Sequence, residues 1–436
     1  MKNPRQPLAG WPERVRRIEA CRICRNRSLE PVVDLGKQFL SGLFEEGSEQ
    51  NRINRPVPLE VVRCDPSALP EACGFVQLRH TVPPEVLFQD YGYRSGINTT
   101  MRTHLQRLAK EVESRIRLSA QDIVLDIGAN DGTSLLAYQE PGLIRVGFEP
   151  SNAADDAEAR GIRILRSFFS SDGGAREFLK RFPGRKARVV TTIAMFYDID
   201  DPAGFCKQIR EILEEEGLWV LEMHYWGSLL ETAGFDAICH EHLGYYSLET
   251  LKALLDRTGF EFHDIAFNSA NGGSVRCFLK KKRPGPPVPA ENGKRIAQAF
   301  EREKNLRFNA PERLAQLRRE VEEIRTDLAE ALAQARRQGK RTYGYGASTK
   351  GNVLLQYCRL DPDQVTAIAD RNPSKWGKTA PGTQIPICSE EQMRSARPDF
   401  LLILPWHFLQ EFLEREKELR SQGTRFLVPF PRVRVV

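Results

Sequence analysis

The sequence predicts an α/β protein of several domains, with a parallel sheet at its centre, a smaller strand and helix unit at the C-terminal end, and a cysteine-bearing segment before both. Three observations predict it. Short β-rich apolar runs at 123–127, 145–148, 187–193 and 217–222 alternate with amphipathic or polar stretches of helix length, the pattern of a parallel sheet covered on both faces. A second strand, glycine loop and helix start at 341–352 precedes further strand-like runs at 365–370 and 400–404. The length of 436 residues exceeds what one core ordinarily organises.

In chain order, the first unit is expected over 1–80. Cys21 and Cys24 have the C-x-x-C spacing that aims two thiolates at one tetrahedral ion, and Cys64 and Cys73 can complete a four-thiolate structural zinc site. The competing reading is two pairs of unrelated thiols. The central sheet is expected over 81–285, ending where the proline-rich stretch 283–289 interrupts all regular structure. A helical linker follows over 286–340. In it Leu314, Leu317, Val321, Ile324, Leu328 and Leu332 recur at spacings of three and four, which marks an interdomain packing face. The second α/β unit occupies 341–436.

Composition narrows the function classes. A hydrophobic content of 41% with 28% charged residues is that of a globular protein, and no stretch approaches the length of a membrane span. The first twenty residues do not resemble a signal peptide, so a cytoplasmic location is expected. A net charge of +6 is small for this length, and outside 280–283 basic and acidic residues are mixed. The chain therefore lacks the footprint of a nucleic-acid binder.

His240, Glu241 and His242 place two imidazoles and a carboxylate together in a chain with seven histidines. The cluster is open to three readings: acid/base catalysis, a buried polar network, or a metal site. Two zinc ligands on one helix face need a separation of four, whereas positions 240 and 242 share a direction only in extended backbone.

The loop after the first central strand carries Asp126, Gly128, Asn130, Asp131 and Gly132, a G-x-x-x-G spacing with acids before and inside it. It differs from the G-x-G-x-x-G that lets a helix approach a pyrophosphate. It suits a ligand bearing positive charge and hydroxyls, and Glu149, at the end of the next strand, can accept both hydroxyls of a ribose. Together these are the signature of a class I S-adenosylmethionine-dependent methyltransferase; Ala194 and Met195, after the fourth strand, are assigned to the same cofactor. The second loop, with Gly346, Ser348, Lys350 and Asn352, offers amides, hydroxyls and an ammonium at a helix start, chemistry that matches the phosphates of a nucleotide-bearing substrate. It is not a Walker motif.

The four cysteines, Tyr91 to Ser95 (YGYRS), LDIGANDGT, ICHEHLGYYSL, NGGSVR (Asn271 to Arg276), YGASTKGN and LPWHF together resemble, in order and over nearly the whole chain, the bacterial nucleotide-sugar C-methyltransferases. Those enzymes methylate a carbon beside the ketone of a dTDP-4-keto-6-deoxy sugar. The resemblance implies an N-terminal zinc domain, a central class I methyltransferase sheet and a C-terminal Rossmann-like domain that helps to hold a dTDP- or other nucleotide-linked keto sugar. It places the catalytic tyrosine on Tyr93 and the Glu-His pair on Glu241 and His242, and it assigns Asn271, Ser274 and Arg276 to the substrate. Two positions depart from it: Cys239 stands where some members have tyrosine, and Asp198 where a histidine is expected. Asp198 can be read as a partner for a sugar amine or hydroxyl, or as a solvated acid.

A carbon becomes a nucleophile only as an enolate, so such an enzyme must remove a proton beside a carbonyl and stabilise the oxyanion. His242 is the expected base with Glu241 orienting it. Tyr93, His240 or Tyr246 is the expected donor to the oxyanion. Two alternatives stand beside this. An O- or N-methyltransferase would share the cofactor site, although 194–197 lack the N/D-P-P-Y type segment common in base N-methylation. A zinc-bearing RNA-binding or scaffold protein would need a concentrated basic surface, for which 280–283 is the one obvious run.

Overall fold

The computed structural model describes residues 10–44, 54–89, 92–284 and 287–436. Tyr91 and the domain boundary expected at 285 and 286 lie outside these residues, as does the start of the chain. The N-terminal unit begins with β1 (Arg16–Arg17) and is built on β2 (Leu29–Gln38), β3 (Val57–Cys64) and β4 (Val76–Leu78), paired antiparallel in that order. The short β5 (His80–Thr81) pairs with β1. Val32, Leu59 and Val61 are fully buried and give this small sheet its apolar interior.

The central sheet runs through β6 (Ile123–Ile127), β7 (Ile144–Phe148), β8 (Arg163–Leu165), β9 (Ala187–Ile193) and β10 (Leu213–His224), mutually parallel. β11 (Gly244–Tyr245) leaves this unit to pair with β4, extending the N-terminal sheet. β12 (Phe260–Asn268) and β13 (Ser274–Lys281) complete the central sheet in the order β12-β13-β10-β9-β6-β7-β8, with β13 antiparallel to both neighbours. All five residues of β6 are buried, as a strand covered on both faces requires. Chain order reverses between β6 and β9, the point at which open α/β sheets hold ligands beyond their strand ends. β10 continues beyond the apolar run 217–222, because pairing with β13 persists to His224 opposite Ser274.

The C-terminal sheet comprises β14 (Thr342–Tyr345), β15 (Ile368–Asp370), β16 (Ile387–Ser389), β17 (Phe400–Ile403), β18 (Arg425–Val428) and β19 (Arg434–Val435), in the order β16-β15-β14-β17-β18-β19. The connecting segment is two helices, Ala290–Leu306 and Pro311–Arg337. Every leucine, valine and isoleucine of the expected stripe is buried on the second, and Arg318 reaches the carbonyl of Val32 at 3.1 Å, so the stripe packs between units as its spacing indicates. The basic run at the end of β13 is neutralised in place: Lys281 pairs with Glu215, Lys282 with Asp256 and Arg283 with Glu216. That removes the concentrated charge an RNA-binding surface would need.

Glu303 of the first connecting helix ties that helix to the sheet. Its buried carboxylate accepts from Tyr225 Oη at 2.6 Å and from the amides of Leu248 and Glu249 at 2.5 and 3.2 Å, at the N-terminus of helix Leu248–Thr258. Glu303→Ala strands three donors away from water, and a loss of about 2–4 kcal/mol in urea unfolding is expected. Glu303→Gln, which keeps an acceptor, should lose less.

Candidate active site

At the end of β6 the chain turns through Gly128 (φ 79°), Asn130 (φ 51°) and Gly132 (φ 75°), left-handed backbone that two glycines and an asparagine accept at least cost. A Cβ on Gly128 would lie 3.2 Å from Met195 Cγ, so the side chain after the fourth strand closes directly over this glycine. Ala194 is itself left-handed (φ 54°) and held by its amide to Glu222 O at 2.8 Å. Glu149 is fixed from both sides: Oε2 accepts from Asn130 N at 2.7 Å and Oε1 from Ser151 N at 2.9 Å. Its remaining lone pairs suit two ribose hydroxyls.

Asp126 lies beneath this loop. Thr191 Oγ1 donates to it at 2.6 Å, and burial pushes its carboxyl up to about 7 against that bond. A strap formed by residues 93–97 crosses above. Asn130 Oδ1 accepts from Ser95 N at 2.9 Å, Asp131 Oδ2 from Gly96 N at 2.8 Å, and Asn130 Nδ2 donates to Tyr93 O at 3.1 Å. Gly96 is required here, since a Cβ would come within 2.7 Å of Asp131 Oδ2. Asn130 and Asp131 thus spend their side chains on carrying Tyr93 over the loop. The cradle of small residues and the poised carboxylate of Glu149 fit S-adenosylmethionine.

Beyond the strand ends, a group of largely buried side chains from the central, N-terminal and C-terminal units lies within electrostatic reach of one another. His224 closes β10, Tyr197 and Asp198 follow β9, and residues 236–245 contribute Asp236, Cys239, Glu241, His242 and Tyr245. The C-terminal unit adds Lys350 and His407. His242 Nδ1 donates to Ala237 O at 2.8 Å, and its ring lies against Tyr197 with centroids 4.2 Å apart. A carbonyl can only accept, so the proton sits on Nδ1 and Nε2 keeps its lone pair. Burial, reinforced by the Lys350 ammonium, holds His242 down to about 3, and the same two causes hold His407 down to about 3. His224 is lowered by burial and then by Lys350.

The His-Glu-His segment diverges, because residues 240 and 241 form a turn instead of extended backbone. His240 points to the N-terminal sheet, where Nε2 donates to Val57 O at 3.1 Å. Tyr246 is buried between Phe75 and Phe196, with ring centroids at 4.7 and 5.4 Å. Neither faces the cavity, which corrects their expected role as oxyanion donors. Glu241 does not orient His242; the Ala237 carbonyl does. Oε1 of Glu241 instead lies 3.0 Å from where a Gly42 Cβ would be, while Oε2 has no hydrogen-bond partner among the described residues. Oδ1 of Asp198 and Oη of Tyr245 are likewise buried without one. Burial raises both Asp198 and Glu241 above the usual carboxyl range, and for Asp198 the nearby Glu241 charge adds to it. Asp198 is therefore a cavity group, contrary to the reading as a solvated acid.

The remaining expected substrate residues divide. Asn271 (φ 55°) presents its carbonyl to Lys350 Nζ at 2.7 Å, and Ser274 Oγ donates to Ala270 O at 2.9 Å. Arg276 is buried in ion pairs with Glu222, at 2.7 Å, and with Glu111, which commits its guanidinium to the protein. In the second glycine loop four of the backbone amides are bonded within the protein. Gly346 N is bonded to Ala369 O, Ala347 N to Asp370 Oδ2, Gly351 N to Ser348 Oγ and Asn352 N to Ser348 O. Asn352 donates to Ser41 O at 2.7 Å, tying the helix Thr349–Tyr357 to the N-terminal unit.

In that unit the four expected thiols meet. Cys21 and Cys73 Sγ are 3.5 Å apart, as are Cys24 and Cys64, and all four lie within 4.8 Å of one another. Tetrahedral zinc with bonds of about 2.3 Å needs sulfur separations of roughly 3.8 Å. The donor set fits zinc and leaves no position open for water.

Models of a C-methyltransferase C-terminal domain, a methyltransferase domain and a zinc binding domain match residues 269–431, 93–265 and 21–88. C-methyltransferase NovU of Streptomyces niveus is 31% identical over 425 residues, which covers 97% of this chain and 98% of that protein. The chain belongs to the C-methyltransferase family. Among solved structures, a methyltransferase from Clostridium acetobutylicum is 13% identical over 41% of this chain and 90% of its own, with a TM-score of 0.32. The magnesium protoporphyrin IX methyltransferase of Synechocystis PCC 6803 is 9% identical over 42% and 79%, also at 0.32.

This C-methyltransferase uses S-adenosylmethionine as methyl donor and zinc as a structural ion. Its cavity holds groups that sequence reasoning missed: His224, His407, Tyr245 and Asp236. Rarity was a usable signal, since His224, His242 and His407 are three of only seven histidines. Because the His242 pKa is depressed in the folded protein, the stability this group contributes is complete above its unfolded value near 6.5 and is lost as pH falls from there. Titrating ¹⁵N-labelled histidines should show His242 neutral and Nδ1-protonated from pH 8 down to 5. A midpoint near 6.5 would show that burial and Lys350 do not depress this imidazole.

Proposed function

We propose that this C-methyltransferase methylates the carbon next to the ketone of a nucleotide-linked 4-keto-deoxy sugar, with dTDP as the expected nucleotide, by way of an enolate. The observation that carries the reading is the single lone pair on His242 Nε2, kept free by the Nδ1 bond to Ala237 O. Nε2 is the nitrogen free to take a proton from carbon; burial and the Lys350 charge hold its basicity down before reaction, and the negative charge that forms on the substrate as the proton arrives offsets both. The nucleotide-sugar assignment rests on the ordered motifs from the cysteines to LPWHF.

In this reading the substrate C–H is held against His242 Nε2, and the proton moves to that nitrogen as the electron pair enters the enolate. S-adenosylmethionine supplies an electrophilic methyl when bound. Glu149 and the loop after β6 fix the donor, and the strap carrying Tyr93 limits water. Tyr197, packed against the imidazole at a tilt of 52°, limits its rotation.

The test is solvent exchange. With dTDP-4-keto-6-deoxy sugars in D₂O the wild type should exchange the proton next to the ketone and, with labelled S-adenosylmethionine, yield a product methylated on carbon. His242→Ala should lower both by about 10²–10⁴-fold. Unchanged exchange in His242→Ala, or a methyl found on oxygen, would remove the assignment.

A further inference from the structure

Lys350 sits second in the helix Thr349–Tyr357, where a phosphate contact would be expected of it. The surroundings say otherwise. Four amides of the loop, those of Gly346, Ala347, Gly351 and Asn352, are already bonded within the protein, and the Lys350 side chain leaves the loop to reach Asn271 O at 2.7 Å. That turn belongs to the same cavity wall as Trp406, because a Cβ on Gly272 would stand 3.3 Å from Trp406 Cζ2, and Trp406 Nε1 in turn donates to Asp236 Oδ2 at 2.9 Å. The helix start also faces the His242 turn. One point, the Cβ position of Gly42, is 3.0 Å from Glu241 Oε1 and 3.8 Å from Thr349 Oγ1.

We infer that Lys350 is a catalytic residue of the methyl transfer, its ammonium holding the substrate's ketone oxygen and the negative charge that develops there when His242 removes the neighbouring proton. This rests on the enolate reading above. An ammonium has three donors and Asn271 occupies one, which leaves N–H groups for the oxygen. The cation acts on all three imidazoles of the cavity, His224, His242 and His407. It therefore stands within electrostatic reach of the base, as the oxygen two bonds from the reacting carbon must. Of the expected donors, His240 and Tyr246 face elsewhere and Tyr93 is carried on the strap over the cofactor loop, which leaves Lys350 as the cationic donor on the His242 side.

The step balances. The C–H bond breaks, the proton goes to His242 Nε2, the C–H pair forms the C=C bond, and the carbonyl π pair moves to the oxygen facing Lys350. When the carbon takes the methyl, the C=O bond re-forms, the methyl–sulfur bond breaks with its pair left on sulfur, and the ammonium is unchanged.

The experiment compares wild type, Lys350→Met and Lys350→Arg in D₂O with dTDP-4-keto-6-deoxyglucose and S-adenosylhomocysteine, measuring exchange next to the ketone. Calorimetric binding of dTDP alone runs in parallel. Lys350→Met should lose about 10²–10³-fold in exchange and bind dTDP like the wild type, with Lys350→Arg recovering part of the rate. Should Lys350→Met fail to fold, Lys350→Gln takes its place against Lys350→Arg. Wild-type exchange in the neutral variant would overturn the inference, as would a loss of exchange matched by a loss of dTDP affinity, which would return Lys350 to the phosphates. Failure of the wild type itself to exchange would instead defeat the enolate reading, and this inference with it.

Discussion

The segment from Phe235 to Ser247 is the part on which the three sheets depend, because each of them is bonded to it. Trp406 donates to Asp236 from the C-terminal unit. His240 donates to Val57, and Gly244–Tyr245 adds a strand to the N-terminal sheet. The amide of Trp226, just beyond β10, is bonded to Tyr246 O. A segment so constrained has little freedom, and His242 inherits that rigidity. His242 is therefore oriented by the Ala237 carbonyl and by the tilted Tyr197 ring packed against it.

The electrostatics of the cavity follow from burial. Imidazoles lose their protons there, whereas Asp198 and Glu241 are driven toward retaining theirs. Lys350 supplies positive charge in the same space, opposed by burial and supported by Asp236. Buried neutral imidazoles beside an ammonium are the setting that the proposed enolate chemistry asks for. It costs folding free energy that the well-packed sheets must offset.

Much of this was legible in the sequence, and the boundary is physical. The cysteine spacing, the G-x-x-x-G loop with Glu149, and the leucine stripe of 314–332 are local patterns whose geometry depends on neighbours a few residues away. The direction of a side chain in an irregular turn is different. His240 and His242 diverge because the chain bends at 240–241, and Tyr246 turns into the aromatic core beside Phe75. His224 was missed because the charged Glu222 looks like the end of the strand, whereas pairing continues through Met223 to His224 opposite Ser274. Nor does the sequence show which amides of the second glycine loop are already used; Asp370, twenty-three residues later, takes the one on Ala347.

The central claim is that the proton removed from the substrate meets Nε2 of His242 in a cavity shared by all three units. It is tested most directly by a crystal structure with S-adenosylhomocysteine and a dTDP-4-keto-deoxy sugar. The carbon next to the ketone should lie about 3–3.5 Å from His242 Nε2, with the thioether sulfur on the opposite face of the sugar plane and His242 Nδ1 still bonded to Ala237 O. A sugar whose hydroxyl or ring nitrogen substituent, in place of that carbon, faces the sulfur, or one bound away from His242, would contradict the account.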